Sequence, residues 1–405
     1  RNKINVVHIE FTAFIFKNLS FKNNFTFQST EAHNTLSKFK AHANLVRKFC
    51  EDPSIGAEAV EQTLDAAHAL SLQCRRNLGI KKLSIKEERD RLFDIAQPKN
   101  DPFFRLHKRE EFIEPDLQRV PPVPDEDILL FIANHNPFLK DWQKKLLQIV
   151  HEEAQYFIPQ IDTKIMNEGW ASYWHREILV ALANEGKLPE GQMMEFMVRH
   201  NQVVRPIKNG LNPYHVGLAV WTDVCHRYDE AMTGKICEDH QIEYDCNGAP
   251  GDLGKLTGRQ KIFEVRSADR DISFLRRFLN ENLIRELDLF EWRAKDDKMI
   301  VSEVAGVSGA KKIKDTLLKN IGTNGIPVIK VVDGNVGGSR MLYLSHDHDG
   351  RDLLIDYAKK TMELIHFLWK GTVCLETNIS GDRKVLIFNE KGFSAKSPKD
   401  AKILS

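Results

Sequence analysis

Apolar residues recur at helical spacing along most of the first 300 positions, which predicts a succession of amphipathic helices there. EAHNTLSKFKAHANLVRKFCED gives one helix and AEAVEQTLDAAHALSLQCRRNL, rich in Ala and Leu, gives a second, both facing a core. From Gln97 to Pro124 the residues Pro98, Pro102, Pro115, Pro121, Pro122 and Pro124 break regular structure. Phe103, Phe104, Leu106, Phe112 and Ile113 offer apolar anchors there, so the stretch reads as an extended surface strap. DEDILLFIANH is a helix that ends before Pro137, and DWQKKLLQIVHEEAQYFI is a long amphipathic helix starting near an Asp cap. After Pro159, Thr163 is the expected starting cap of a helix through MNEGWASYWHREILVALANEG, closed by Gly186. Two helices with so short a connector are expected to pack antiparallel and to bring their polar residues into one core. GQMMEFMVRHNQVVRP, then LNPYHVGLAVWTDVCHRYDEA after Pro213, continue the helical pattern. So does FEVRSADRDISFLRRFLNENLIRELDLFEW, with Asp271 or Ser273 as its cap, while residues 233 to 260 read as a surface excursion.

The period changes after about residue 300. KKIKDTLLKNIG is a helix closed by Gly322, IPVIKVVDG and RMLYLSHDHDG are β-rich runs around a Gly-rich turn, DLLIDYAKKTMELIHFLW is a helix, and TVCLETNI and KVLIFNE are strands. The expected architecture is a mainly α large domain, residues 1 to 298, followed by a small α+β domain with an antiparallel sheet, residues 299 to 405.

A chain of 405 residues is long enough for two domains. Its 58 lysines and arginines against 57 acids leave no basic footprint for nucleic acid and no polybasic arm for an acidic membrane. Six cysteines (Cys50, Cys74, Cys225, Cys237, Cys246, Cys374) scattered through a long chain fit reduced thiols and a cytoplasmic location better than a disulfide framework. The opening run RNKINVVHIEFTAFIFKNLSF is interrupted by His8, Glu10 and Lys17, so it makes neither a signal peptide nor a membrane span. A start at Arg rather than Met leads us to expect further chain upstream.

The segment from His151 to His175, HEEAQYFIPQIDTKIMNEGWASYWH, places carboxylates beside aromatic residues in helices otherwise composed for burial. Glu168 and His175 are seven residues apart, about two turns, so a continuous helix puts them on one face with Ala171 and Ser172 between them. Glu152 or Glu153 from the preceding helix completes a Glu, Glu, His set of the kind that binds a divalent metal such as zinc, iron or manganese. One of these two acids would then serve as ligand or general base toward a metal-bound water. The same residues also suit a buried hydrogen-bonded network holding two helices in register. HEEAQY matches the metalloprotease HExxH pattern only in its first two letters. His200, near a helix end, reads as a cap or dipole-stabilised side chain, and Asn212 and His215 fall with it in a separate polar cluster. Cys237, His240 and Cys246 lack a fourth zinc ligand. His346, Asp347, His348 and Asp349 suit either a cation or an ordinary exposed turn. DGNVGGS lacks the pattern of a phosphate loop.

At TKIMNEGWASYWH, LNPYHVGLAVW, SFLRRFLNENLIRELDLF and LWKGTVCLET the chain resembles the SpoVR family, the stage V sporulation protein R-like proteins, from about Phe21 to the C-terminal strands. The resemblance implies a mostly helical large domain and a smaller C-terminal one, a link to spore cortex formation, and an association with stress-responsive genes that often include a PrkA-type serine kinase as a candidate partner. The resemblance implies an AHVxGHxDFFKNN-type segment, usual in the family, whose two histidines at i, i+4 spacing are candidates to join the Glu of NEGWA as zincin-like ligands. This sequence keeps FKNN at Phe21 to Asn24 and has His8 in VVHIEF, so His8 is the third ligand the resemblance implies beside Glu168 and His175. The second histidine is absent, and TAFIFKNLS stands in its place. For this chain the resemblance therefore implies a regulatory or scaffold role first, and a zincin-like metal-dependent hydrolase of peptide or cell-wall precursor as the alternative.

Overall fold

Local side-chain caps start several of the helices. The computed structural model describes residues 32–75, 83–96, 119–207, 211–233, 254–289, 292–295, 298–301, 307–323 and 325–398. Helices α1 (Ala32–Glu51), α2 (Ala57–His68), α3 (Ile85–Ala96), α4 (Ile128–His135) and α5 (Asp141–Ile161) come first. The Asp127 carboxylate accepts from Leu130 N at 2.9 Å and so starts α4. The amphipathic repeat of α5 runs straight through Pro159, which sits in its last turn, so the helix ends later than its proline suggests. Then follow α6 (Lys164–Asn184), α7 (Glu190–Val204), α8 (Pro213–Met232), α9 (Gly258–Ala268), α10 (Asp271–Phe278) and α11 (Glu281–Glu286). Asn212 caps α8 by accepting from Tyr214 N, and Thr257 with Gln260 forms a capping box on α9.

The long helical run expected from Phe263 to Trp292 is three separate helices, broken where Asp269 and Leu279 turn extended. Its end is the first strand of a hairpin, β1 (Trp292–Lys295) with β2 (Lys298–Val301), in register from Trp292 against Val301. Helix α12 (Val307–Thr323) includes Gly322 instead of stopping at it.

Among the described residues the chain divides into two compact units. One contains Leu36 to Ile158 together with the residues from Ile326 onward, and the other contains Pro159 to Gly325. In the first, β3 (Ile329–Val336), β4 (Met341–His346), β5 (Val373–Ile379), β6 (Asp382–Asn389) and β7 (Gly392–Lys396) form one sheet in that order, with α13 (Ile355–Trp369) between β4 and β5. This is the α+β arrangement expected, and its sheet is mostly antiparallel; the β4–β5 pair, joined through α13, is parallel. Strand β7 completes it beyond the strands that the sequence pattern marks. Alternation sends Leu342, Leu344, Val373, Leu375 and Leu386 to one face, where they share a core with α2, α4, α5 and α13. Tyr343, Cys374, Val385 and Ile387 make a second cluster. Asp125 exchanges both backbone hydrogen bonds with Val331 on β3 (2.9 and 2.7 Å), which ties the segment before α4 to that strand.

The second unit is helical apart from its hairpin. Ile165, Met166, Trp170 and Tyr173 of α6 pack with Val216, Val220, Trp221 and Val224 of α8, and α9 to α12 add the rest of that core. Although only Asp162 and Thr163 separate them, α5 and α6 bury their apolar faces in different cores, so the short connector does not bring them into a shared one. No described helix is long and apolar enough to cross a membrane.

Candidate functional site

Helix α6 carries the NEGWA block, and its start is secured from far along the chain. Thr163 occupies the N-cap position but makes no capping bond; its hydroxyl donates to Pro159 O at 2.8 Å and accepts from the Asn167 amide at 2.9 Å. The free N–H groups are instead met by Asp271, whose carboxylate accepts from Ile165 N at 2.8 Å and Met166 N at 2.9 Å. Asp271 therefore caps α6 rather than its own helix. Burial pushes its carboxyl up to about 7, while the backbone donors favour the charged form. Asn167 accepts from Arg266 Nη1 at 3.1 Å, and that guanidinium lies 4.7 Å above the Trp170 ring. Burial lowers the Arg266 pKa to about 9, so it stays cationic at neutral pH.

One turn on, α6 and α8 meet through glycine. A Cβ on Gly169 would fall 2.3 Å from Gly217 Cα, and one on Gly217 would fall 2.2 Å from Ile165 O. This approach lets Trp221 donate from its indole to Met166 O at 3.0 Å while stacking edge-on with Trp170 at 5.2 Å. The Glu168 carboxylate, half-buried, accepts from the Tyr214 hydroxyl; burial first, then that charge, raises the Tyr214 pKa.

His175 lies two turns along α6, its ring 4.9 Å from Phe196 and 5.9 Å from His200 on α7. His200 does lie near the end of α7, as the sequence suggests. It is buried beside His175, a neighbour that spacing in the sequence does not reveal because a loop and a second helix intervene. Burial, then the His175 and Arg176 charges, lowers its pKa to about 4. A histidine whose folded pKa lies below its unfolded one costs stability as pH falls through the interval between them, because only the unfolded chain takes up the proton. Relative to His200→Leu, the wild type is therefore expected to lose up to roughly 3 kcal/mol more between pH 6.5 and pH 4. Denaturant titrations at the two pH values read this difference, and parallel losses in both proteins refute it.

Glu152 and Glu153 lie on α5 in the other unit, half-buried and engaged with α1. Glu152 pairs with Lys38 at 2.7 Å and lies 3.5 Å from His42, whose other ring nitrogen is 3.0 Å from Glu153. His8, Cys237, His240 and Cys246 lie outside the described residues, as does most of the proline-rich strap. In the SHDHDG turn, His346, Asp347, His348 and Asp349 line an open cleft of about 620 Å³ with Glu376 and Arg383. Each of the four has a side-chain partner: Thr377 at 2.8 Å for His346, Lys330 at 2.5 Å for Asp347, Asp352 at 3.0 Å for His348, and Arg351 for Asp349. Among the described residues, one trio of metal-type ligand atoms comes together within 4.8 Å: Cys74, Asp127 and His151.

The family model described as SpoVR like protein matches residues 2–326, and that of the SpoVR-like C-terminal domain matches residues 327–380. The uncharacterized protein YcgB of Escherichia coli (strain K12) is 30% identical over 379 residues, covering 89% of this chain and 71% of that protein. No solved structure gives a significant match. With family models spanning nearly all of the chain, including the glycine-packed NEGWA helix, the chain belongs to the SpoVR family.

Proposed function

We propose that this chain is a regulatory or scaffold protein of the cytoplasm, in which the NEGWA helix fixes the helical region and the C-terminal α+β segment, residues 299–405, docks a protein partner. The observation that carries this reading is the use of the NEGWA side chains: Asn167 bonds Thr163 and Arg266, Gly169 seats α8, and Trp170 stacks on Trp221. The most specific block of the sequence thus does packing work. The family setting makes a PrkA-type serine kinase the first partner to test, with spore cortex formation and stress response as the setting. Among the described residues Cys50, Cys74, Cys225 and Cys374 form no disulfide, which suits a reducing compartment. In the decisive experiment, Glu168→Gln and His175→Gln fold, bind the purified kinase with wild-type affinity and complement a deletion strain. Loss of complementation by folded variants that still bind the kinase overturns the reading.

A second reading, a metal-dependent hydrolase acting on a peptide or cell-wall precursor, is favoured by the His175–His200 pair. Two imidazoles lie together on facing helices, and burial keeps His200 in the neutral form that a divalent metal such as zinc requires. On this reading Glu168 and His175 hold the ion, with His8 as the third ligand that the family resemblance implies. Elemental analysis decides: a metal equivalent present in the wild type and absent from both Glu168→Gln and His175→Gln supports the hydrolase.

A further inference from the structure

We propose that Cys74, Asp127 and His151 form a structural zinc site that joins the turn after α2, the N-cap of α4 and the middle of α5. It is separate from the NEGWA helix, and neither reading above requires it.

The three residues come from three segments distant in sequence, yet one ligand atom from each falls within 4.8 Å of the others. They are 3%, 2% and 6% exposed respectively, so the site is closed, as structural rather than catalytic zinc sites are. Hydrogen bonds hold the candidate ligands in position. Asp127 uses Oδ1 to cap α4 through Leu130 N at 2.9 Å, and its backbone N donates to Asp125 at 3.0 Å. Oδ2 is left facing His151 Nε2 at 2.7 Å, which presents one carboxylate oxygen to an ion and holds the other in the outer shell. The turn carrying Cys74 is fixed in place as well, since Ile128 N donates to Gln73 O at 3.1 Å.

Thiolate, imidazole and a single carboxylate oxygen are the donor types zinc takes, at about 2.0 to 2.3 Å. A tetrahedral ion at those lengths needs ligand separations of about 3.3 Å or more, so zinc opens the Asp127–His151 pair by roughly half an ångström. A water, or the Gln155 side-chain oxygen once its amide is turned, completes four-coordination; the amide nitrogen now lies 3.4 Å from His151 Nε2.

The proton balance is simple. The Cys74 thiol, which donates to Ser71 O at 2.9 Å, gives up its proton to solvent. In the zinc-bound form His151 offers Nε2 to the ion and carries its one ring proton on Nδ1. One proton leaves per zinc bound, and Zn2+ with one thiolate and one carboxylate is neutral, which removes the cost of burying unbalanced charge.

The test uses the full chain, stripped by chelator and reloaded with Zn2+ or Co2+. The expected results are one zinc per chain that Cys74→Ser loses, one proton released on binding, and a thiolate-to-cobalt charge-transfer band absent from Cys74→Ser. Chelation is also expected to lower the wild-type Tm by on the order of 5 °C and to leave the Tm of Cys74→Ser unchanged. The serine keeps a donor for Ser71 O, so that variant is chosen to fold. If it does not fold, Asp127→Asn and His151→Gln decide: loss of zinc and of the cobalt band from both folded variants supports the site, and a band kept by either overturns it. Equal zinc in the wild type and Cys74→Ser, or no thiolate band in cobalt-loaded wild type, overturns it and leaves a hydrogen-bonded trio only. Zinc lost from Glu168→Gln but kept by Cys74→Ser places the ion on α6 and likewise overturns the proposal.

Discussion

Gly217→Ala is expected to cost at least about 3 kcal/mol and to disrupt the helical unit. Its new methyl would sit 2.2 Å from Ile165 O, 2.6 Å from Gly169 Cα and 2.9 Å from Gly169 N, all backbone atoms that no rotamer change can move. The two helices must part by more than an ångström to restore ordinary contact, which pulls Trp221 from Met166 O and Trp170 from Trp221. Gly169→Ala meets the same wall from the other side, with Gly217 Cα and C both at 2.3 Å. Gly191→Ala on α7 is the control, because nothing lies within 4 Å of its added carbon. That change is expected to be neutral or stabilising by a few tenths of a kcal/mol to about 1 kcal/mol. Denaturant unfolding followed by circular dichroism compares the three, and a wild-type midpoint for Gly217→Ala would falsify the glycine-contact account.

Trp221→Ala is expected to cost about 3 to 5 kcal/mol. The side chain is fully buried, lies 4.4 Å from the Phe274 ring and 5.2 Å from the Trp170 ring, and its indole satisfies Met166 O. Truncation opens a cavity between α6, α8 and α10 and removes the donor from a buried carbonyl. Trp221→Phe separates the two effects: it keeps most of the apolar volume and loses the hydrogen bond, so a cost of about 1 to 2 kcal/mol is expected. Equal losses in the two variants would show that the ring's bulk contributes little.

The largest stability effects thus fall on residues that a functional reading of the sequence passes over. Glu168 and His175 draw notice because acids and imidazoles among apolar residues ask for an explanation. Gly169, in the middle of the same block, has no side chain to notice, yet its contact with Gly217 sets how closely α6 and α8 approach. The one hint in the sequence is a glycine within a strong helix, which usually has a packing reason.

Helix α8 shows how far local signals reach. The helical restart expected after Pro213 is found, with Pro213 itself in the first turn, Asn212 as the cap and Val216, Val220 and Val224 on the buried face. The strands β3 to β6 and the helix α13 are equally legible, because alternation and helical period differ and glycines punctuate them. Helix α6 shows where the signals stop. Thr163 is a sound N-cap by residue type, but the N–H groups beyond it are met by Asp271, more than a hundred residues away.

The sequence alone thus determined the helical character up to about residue 300, the α+β character after it and the family, since each rests on patterns within a few turns or on contiguous blocks. Only the tertiary structure decided that α2, α4 and α5 share a core with the C-terminal sheet, that His200 stands beside His175, and that Cys74, Asp127 and His151 converge. The physical reason is range. A cap or an apolar stripe is fixed by neighbours three or four residues away, whereas these juxtapositions follow from how whole apolar faces pair to leave water, which no local spacing records.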